Sequence, residues 1–155
     1  IDLPKELSHK LMDSQTIKMS ELLKEFQKFW ALHSDKYLQG VRPLEAGPHF
    51  LLSAFLFSVV NGGATVTNEF ADGLGYADIG VQRAGRKYLI ELKIKDNEAS
   101  RAKSLKRLLG YMDKALAKEG WLVIFNRKPN KDWAKKATWA EKSYPGGKKI
   151  YIVGC

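Results

Sequence analysis

The sequence contains a single cysteine and no long apolar run. Cys155 alone cannot form an internal disulfide bond, and the N-terminus lacks the basic segment followed by an apolar one that marks a secretory signal. The longest nearly continuous apolar stretch, residues 50–60, is about half the ~20 residues that a membrane-spanning helix needs. The sequence therefore predicts a cytoplasmic protein, with no membrane among its partners.

Motifs for two common ligand classes are also missing. The sequence has no Gly-x-x-x-x-Gly-Lys-Ser/Thr loop, and its three histidines, His9, His33 and His49, are far apart. We therefore expect neither a nucleoside-triphosphate loop of that type nor a zinc site.

Acidic residues are the scarcer charged class. There are 17 Asp and Glu against 26 Lys and Arg, which gives a net charge of +9 over 155 residues. Residues 127–149 carry eight basic side chains and only two acidic ones. Such a segment is typical of a surface that binds a polyanion, because neutralised phosphates release their counterions. A solvated lysine-rich surface explains it equally well.

Hydrophobic periodicity predicts a helix, three strands, a helix and a strand, with additions at both ends. The first helix is expected over residues 14–33, capped by Ser14 or Ser20, and a second, apolar helix opens at Gly47-Pro48 and is covered on most sides. The other predicted elements are strands 64–71, 76–82, 87–95 and 121–126, a helix over 99–117 with Leu116 on its apolar face, a short helix around 133–139, and a final strand over 148–155.

The alternation of apolar and polar residues predicts how strands 76–82 and 87–95 pair. In a hairpin centred on Ala84-Gly85, one face is continuously apolar and the other carries Asp78 opposite Glu91. The opposed apolar pairs are Ala77–Leu92, Ile79–Ile90 and Val81–Tyr88. Like charges directly opposite each other destabilise a sheet, so the two carboxylates, called the carboxylate pair below, require a cation, a shared proton or splayed side chains.

A divalent metal ion fits the carboxylate pair. Oxygen ligands at this separation suit Mg²⁺, or Mn²⁺ in its place, because these ions bind few carboxylates and keep water molecules for a substrate. Lys93 lies one step along the same face, where it can orient a water molecule or stabilise negative charge on a phosphate. Glu-x-Lys alone is no more frequent than chance predicts, so the hairpin carries this interpretation.

These residues resemble the PD-(D/E)XK nuclease superfamily. The likeness extends from about residue 44 to the last strand and is closest to the nuclease-like domain at the C-terminus of certain prokaryotic AAA+ ATPases. It rests on "EAGPHFLLSAFLFSVVNGG", "NEFADGLGYADIGV", "YLIELKIKD" and "GYMDKALAKEGWLVIFNRK". The resemblance implies an α/β fold with a restriction-endonuclease-like αβββαβ core, a central mixed sheet flanked by helices, an extra N-terminal helix and a C-terminal strand. Residues 1–43 would form a helical extension packed on a nuclease-like domain of residues 44–155.

The resemblance also implies site residues. Asp78, Glu91 and Lys93 would be catalytic, and the metal ligands would be Glu45, Asp78, Glu91 and the Leu92 carbonyl. The expected substrate-binding residues are Tyr76, Arg101, Lys106, Arg107 and Tyr111. Tyr76 and Arg107 depart from the family, which often has Arg and Gln at these positions; both departures concern substrate handling and remove no metal ligand.

The resulting expectation is a Mg²⁺-dependent endonuclease that hydrolyses DNA, including branched or single-stranded DNA. Its expected partners are an AAA+ ATPase domain or protein and a second copy of the chain. Two alternatives stay open. One is an inactive module of the same fold that binds nucleic acid or regulates an ATPase, and the other is a structural domain in which Lys93 and Lys95 neutralise the carboxylate pair.

Overall fold

The computed structural model describes residues 8–38, 46–60, 62–68, 78–94, 97–125 and 137–155. Its helices are α1 (Ser8–Leu11), α2 (Met19–Leu38), α3 (Ala46–Val60) and α4 (Glu98–Ala115). Its strands are β1 (Thr65–Asn68), β2 (Ile79–Arg83), β3 (Arg86–Lys93), β4 (Glu119–Ile124), β5 (Thr138–Tyr144) and β6 (Lys148–Gly154). The expected boundary between an extension and a domain, at residues 43 and 44, lies outside the described residues.

The six strands form one mixed sheet in the order β1-β2-β3-β4-β6-β5. The pairs β1–β2, β2–β3 and β5–β6 are antiparallel, whereas β3–β4 and β4–β6 are parallel. Because β3 and β4 are parallel, α4 must cross between them and run opposite to both strands. The predicted α/β class and mixed sheet are confirmed.

Helices cover both faces of the sheet. On one face, α2 and α3 bury the even-numbered side chains of β3, such as Ile90 and Leu92. On the other, α4 packs against the odd-numbered side chain of Leu89. Gly120 of the neighbouring strand β4 lets α4 pack closely on this face, because a Cβ at that position would lie 2.7 Å from Met112 Sδ of the helix. The face covered by α4 is also the face that carries Glu91.

The first predicted helix begins later than expected. Residues 14–18 are not helical, because the Asp13 carboxylate accepts hydrogen bonds from the backbone N–H groups of Gln15 and Thr16, at 2.8 and 2.6 Å. The Thr16 hydroxyl bonds to the same carboxylate, and these bonds lower the pKa of Asp13 to about 2. The predicted capping role of Ser20 is wrong, since it lies inside α2 and accepts a hydrogen bond from Trp121 Nε1 at 3.0 Å.

The apolar helix opens where Gly47-Pro48 predicts it, but the expectation that it is covered on most sides is only partly right. Leu52, Phe55 and Val59 are fully buried against α2 and the sheet. Phe50 and Phe57 are seven residues apart, on one face of α3, and each is 67% exposed. Within the described ranges, no helix combines the length and apolar character that crossing a membrane requires.

The four core strands lie where the sequence predicts them, with shifted ends. β1 and β2 coincide with parts of the predicted runs, and residues 69–71 and 76–77 lie outside the described part. The helix over 99–117 is shorter than predicted, because Leu116 takes a left-handed conformation (φ 55°) that ends α4. Leu116 is 89% exposed, so its predicted place on the apolar face is wrong.

The C-terminal region contains a hairpin that the sequence interpretation missed. A short helix was expected around residues 133–139, but Trp139 lies in β5, and residues 133–136 lie outside the described part. β5 and β6 are joined by a turn in which Gly146 and Gly147 have φ of 83° and 76°, a conformation that glycine adopts without strain. The predicted final strand is confirmed as β6.

Candidate active site at the end of the β2–β3 hairpin

The β2–β3 hairpin brings Asp78 and Glu91 together. The register of the two strands pairs Ile79 with Ile90 and Val81 with Tyr88, as the alternation predicts. Asp78 directly precedes β2, and its backbone N–H donates a hydrogen bond of 3.1 Å to Glu91 Oε1. The two acidic residues are therefore neighbours across the end of the hairpin.

Asp78 also fixes the backbone of the next residue along β3. Its Oδ2 accepts a hydrogen bond of 2.8 Å from the Leu92 N–H. This side-chain bond continues the contact between the two strands beyond Ile79 and Ile90, the last backbone pair of the described register. The Leu92 side chain points to the opposite face, where it is 2% exposed among the core residues under α2 and α3.

Glu91 is an acidic side chain in a nearly dry position, only 3% exposed. Burial raises its pKa from 4.5 to about 7, and the negative charge of Asp78 adds to the effect. Arg107, the Asp78 N–H and Lys93 oppose that rise, in that order of size. At neutral pH the carboxyl group is therefore close to half protonated, which means that the carboxylate pair shares its site with a proton when no other cation is bound.

Lys93 lies two residues beyond Glu91 at the end of β3, and the alternation of the strand sets both side chains on the α4 face. It is partly exposed, unlike Glu91, and its charge lowers the pKa of Glu91. A cationic group at the solvent edge of a buried carboxylate pair can contact an anion that approaches the pair from solution.

Helix α4 contributes two further side chains. Arg107 donates hydrogen bonds from Nε and Nη2 to the Tyr111 hydroxyl, at 3.2 and 3.1 Å, and its guanidinium carbon is 5.8 Å from the Tyr111 ring centroid. The Tyr111 bond, followed by the charge of Glu91, raises the pKa of Arg107. Of the residues expected to bind substrate, Arg107 thus acts by its charge on Glu91, and Tyr111 contacts Arg107.

The other predicted substrate residues lie elsewhere on α4 or outside the described residues. Arg101 is partly exposed in the first turn of α4, and Lys106 is exposed on the same helix. The predicted ligand Glu45 and the predicted substrate residue Tyr76 lie outside the described residues.

The oxygen donors near Glu91 fit a hard divalent cation. Two carboxylates, one of them buried beside a like charge, are the donor set that Mg²⁺ or Mn²⁺ takes while keeping several water molecules. Within the described ranges, no cluster of three or more His, Cys, Asp or Glu side chains is placed to hold a metal. Any further ligands would be a backbone oxygen, water or a residue such as Glu45.

With respect to the described residues, the α4 face is open beside the carboxylate pair. Gly80 lies two residues after Asp78 and faces Leu89 across the hairpin. A Cβ built on Gly80 would have no heavy atom of the described residues within 4 Å. A glycine inside an alternating strand is a signal for the close approach of another group, so the sequence contains a signal for this position.

His49, a residue without an expected ligand role, is part of a polar contact on the other face of the sheet. Its Nε2 lies 2.7 Å from Asn68 Oδ1, which also accepts a hydrogen bond of 2.8 Å from the Ser53 hydroxyl. His49 is 4% exposed. This contact joins α3 to β1 and gives His49 a structural role.

Comparison with known proteins identifies no relative: no family model matches the chain, and neither a curated protein nor a solved structure matches it.

Proposed function

We propose that the chain is a Mg²⁺-dependent phosphodiesterase that hydrolyses DNA. The observation that carries this proposal is the carboxylate pair itself: Glu91 is buried against Asp78, and Lys93 stands beside them at the solvent edge of the same face. A buried pair of like charges is costly unless a cation joins it. Phosphodiester hydrolysis is a reaction that uses a cation held in this way next to a lysine.

In this proposal each residue has a defined task. Asp78 and Glu91 would hold Mg²⁺, with the Leu92 carbonyl and Glu45 as further ligands. The ion would supply a water of lowered pKa and would neutralise charge on the phosphate. The bond between Asp78 Oδ2 and the Leu92 N–H keeps that carboxylate in place. Lys93 binds a non-bridging phosphate oxygen, whose negative charge increases in the transition state.

The reaction is a hydrolysis without a redox step. The oxygen of a water molecule forms a bond to phosphorus, and one ester P–O bond breaks. The products are a phosphate monoester and an alcohol. The attacking water loses one proton and the leaving oxygen takes up one, so the number of protons balances. Basic side chains of α4, among them Lys103, Lys106 and Lys114, would bind neighbouring phosphates.

We further propose that the core belongs to the restriction-endonuclease-like type. The order α3-β1-β2-β3-α4-β4 and the position of the carboxylate pair at the β2–β3 pairing support it. An AAA+ ATPase partner, a homodimer and a cytoplasmic location stay predictions from the sequence.

The test is cleavage of single-stranded, duplex, flapped and four-way-junction DNA with Mg²⁺ or Mn²⁺. We expect wild-type protein to cleave at least one of these, and Asp78→Asn and Lys93→Ala to lose most of the activity. Lys87→Ala is the matched control, because Lys87 is an exposed residue of the same strand and face near the other end of β3. Equal cleavage by wild type and the two site variants would show that the activity belongs elsewhere.

One observation favours a second function, a nucleic-acid-binding module without catalysis. Arg107 already acts electrostatically on Glu91, and Lys93 does so to a smaller extent. These two side chains can serve as the cations that the carboxylate pair requires. This alternative predicts salt-sensitive DNA binding without any affinity for Mg²⁺ or Mn²⁺, so a metal titration separates it from the nuclease.

A further inference from the structure

Arg107 and Tyr111 lie one turn apart on α4, the helix that covers the face carrying Glu91. Tyr111 packs against the apolar cluster that contains Leu89. The helix runs opposite to β3, so a step back from Tyr111 to Arg107, about 6 Å, and a step forward from Leu89 to Glu91, about 6.6 Å, lead in the same direction. In agreement with this direction, the charge of Arg107 acts on Glu91 and, more weakly, on Asp78.

Tyr111 holds the Arg107 guanidinium without using up its donors. A guanidinium has five N–H groups, and the two bonds to the Tyr111 hydroxyl occupy two of them. Across the described ranges, no ion pair joins Arg107 to Asp78 or Glu91. Three N–H groups are thus directed neither to Tyr111 nor to the carboxylate pair, and Arg107 is exposed to solvent.

We propose that Arg107, oriented by Tyr111, forms an anion subsite that binds a phosphate group of DNA and thereby makes metal binding and DNA binding cooperative. This inference rests on the proposed function. Without DNA, the guanidinium charge repels a divalent cation at the carboxylate pair. With a phosphate bound to Arg107 that charge is neutralised, so the metal binds more tightly, and by linkage the metal strengthens DNA binding by the same factor. An arginine suits this task because its planar fork binds two phosphate oxygens at once.

The experiment measures both binding reactions in the same protein. Calorimetry gives the affinity for Ca²⁺, which uses the same oxygen ligands as Mg²⁺, with and without a 20-nucleotide DNA single strand, and a gel checks that the strand stays intact. For wild type we expect the strand to tighten Ca²⁺ binding about fivefold or more. For Arg107→Gln we expect tighter Ca²⁺ binding than wild type without DNA. DNA should then tighten Ca²⁺ binding less than it does in wild type, because only the direct attraction between the phosphate and the metal is left.

The salt dependence of DNA binding gives a readout that a structural role of Arg107 would not move. Loss of one phosphate contact should lower the slope of log K against log[salt] by about 0.7 on a single strand.

Tyr111→Phe keeps the ring and the Arg107 charge but removes the hydroxyl. It should leave Ca²⁺ affinity without DNA as in wild type and reduce the effect of DNA. The matched control is Arg86→Gln, an equal change of charge at the exposed β2–β3 turn, about 17 Å along β3 from Glu91.

Three results would overturn parts of this scheme, and they can be told apart. If Arg107→Gln keeps the wild-type cooperativity and salt slope, the anion subsite is wrong while the nuclease proposal stands. If Tyr111→Phe keeps full cooperativity, Tyr111 does not position Arg107. If wild type binds no Ca²⁺ with or without DNA, the metal site fails, and both the subsite and the proposed function are rejected.

Discussion

The carboxyl group of Glu91 offers a test that needs no ligand or substrate. It is 3% exposed and lies beside Asp78, and its pKa is raised from 4.5 to about 7. Glu91→Gln keeps the size of the side chain and an oxygen that accepts the Asp78 N–H bond, but it carries no charge. We expect this variant to be more stable than wild type at alkaline pH in the absence of divalent metal.

The sign and size of the effect follow from proton linkage. Between pH 4.5 and 7 the folded chain holds a proton at Glu91 that the unfolded chain has released. The stability contributed by the protonated group is complete below pH 4.5, the pKa in the unfolded chain, and is lost as pH rises through about 7, the pKa in the folded chain. The difference between these two pKa values corresponds to about 3 kcal/mol of unfolding free energy. The advantage of Glu91→Gln should therefore grow from about 1 kcal/mol near pH 5.5 to about 3 kcal/mol near pH 8.5.

Urea denaturation in the presence of a chelator, followed by tryptophan fluorescence, measures the free energy of unfolding at each pH. Trp121 is 2% exposed at the centre of the sheet and reports on loss of the core. Glu25→Gln is the control, because Glu25 pairs with Lys28 on the surface of α2 and its removal should change stability by less than about 1 kcal/mol at every pH. A constant difference between Glu91→Gln and wild type over this range would refute the argument that Glu91 is a destabilised carboxylate.

Three further predictions concern the site and the elements that position it. Gly80→Val should leave the melting temperature nearly unchanged, since a Cβ there meets no atom of the described residues within 4 Å. It should lower DNA cleavage about tenfold or more by filling the space beside the carboxylate pair, and unchanged cleavage would show that substrate does not enter there. Asn97→Ala should cost about 1 kcal/mol in urea denaturation, because the Asn97 side chain caps α4 through the Ser100 N–H at 2.8 Å, whereas a neutral result would mean that the cap is not needed. Ser20→Ala should cost about 1–3 kcal/mol by leaving Trp121 Nε1 without its acceptor, and a loss below about 0.5 kcal/mol would indicate that water replaces the hydroxyl.

The hairpin register could be predicted because only one pairing of the two strands keeps their apolar residues on one face. Ile79 and Ile90 meet as a consequence, and Asp78 follows one step outward. The start of α2 could not be predicted in this way. It depends on Asp13, whose side chain binds the next backbone N–H groups, and on Ile17, whose N–H donates a hydrogen bond of 2.9 Å to the Tyr88 hydroxyl of a distant strand.

The missed strand β5 and the position of Arg107 show two different limits. The glycines at 146 and 147 and the alternation after them indicate a hairpin, but the lysine-rich composition before them led to an irregular tail and a short helix. Only the resemblance to a nuclease family predicts a role for Arg107; no pattern in the sequence around it does. The position of Arg107 relative to Glu91 depends on the direction in which α4 crosses the sheet, which requires the parallel pairing of β3 with β4.

The two carboxylates give unequal support to a function. Asp78 has a structural reason to be acidic, because its Oδ2 accepts the Leu92 N–H and completes the end of the hairpin, and asparagine could do the same with an oxygen. Glu91 has no such reason, since glutamine would accept the Asp78 N–H equally well without the cost of about 3 kcal/mol that its buried charge imposes. That cost is a large part of the roughly 5–15 kcal/mol by which domains are stable. A structural domain is therefore expected to be improved by Glu91→Gln without loss of any property. A metal-dependent enzyme should lose metal affinity and turnover with the same substitution while it gains stability, and measuring both quantities on this one variant separates the two interpretations.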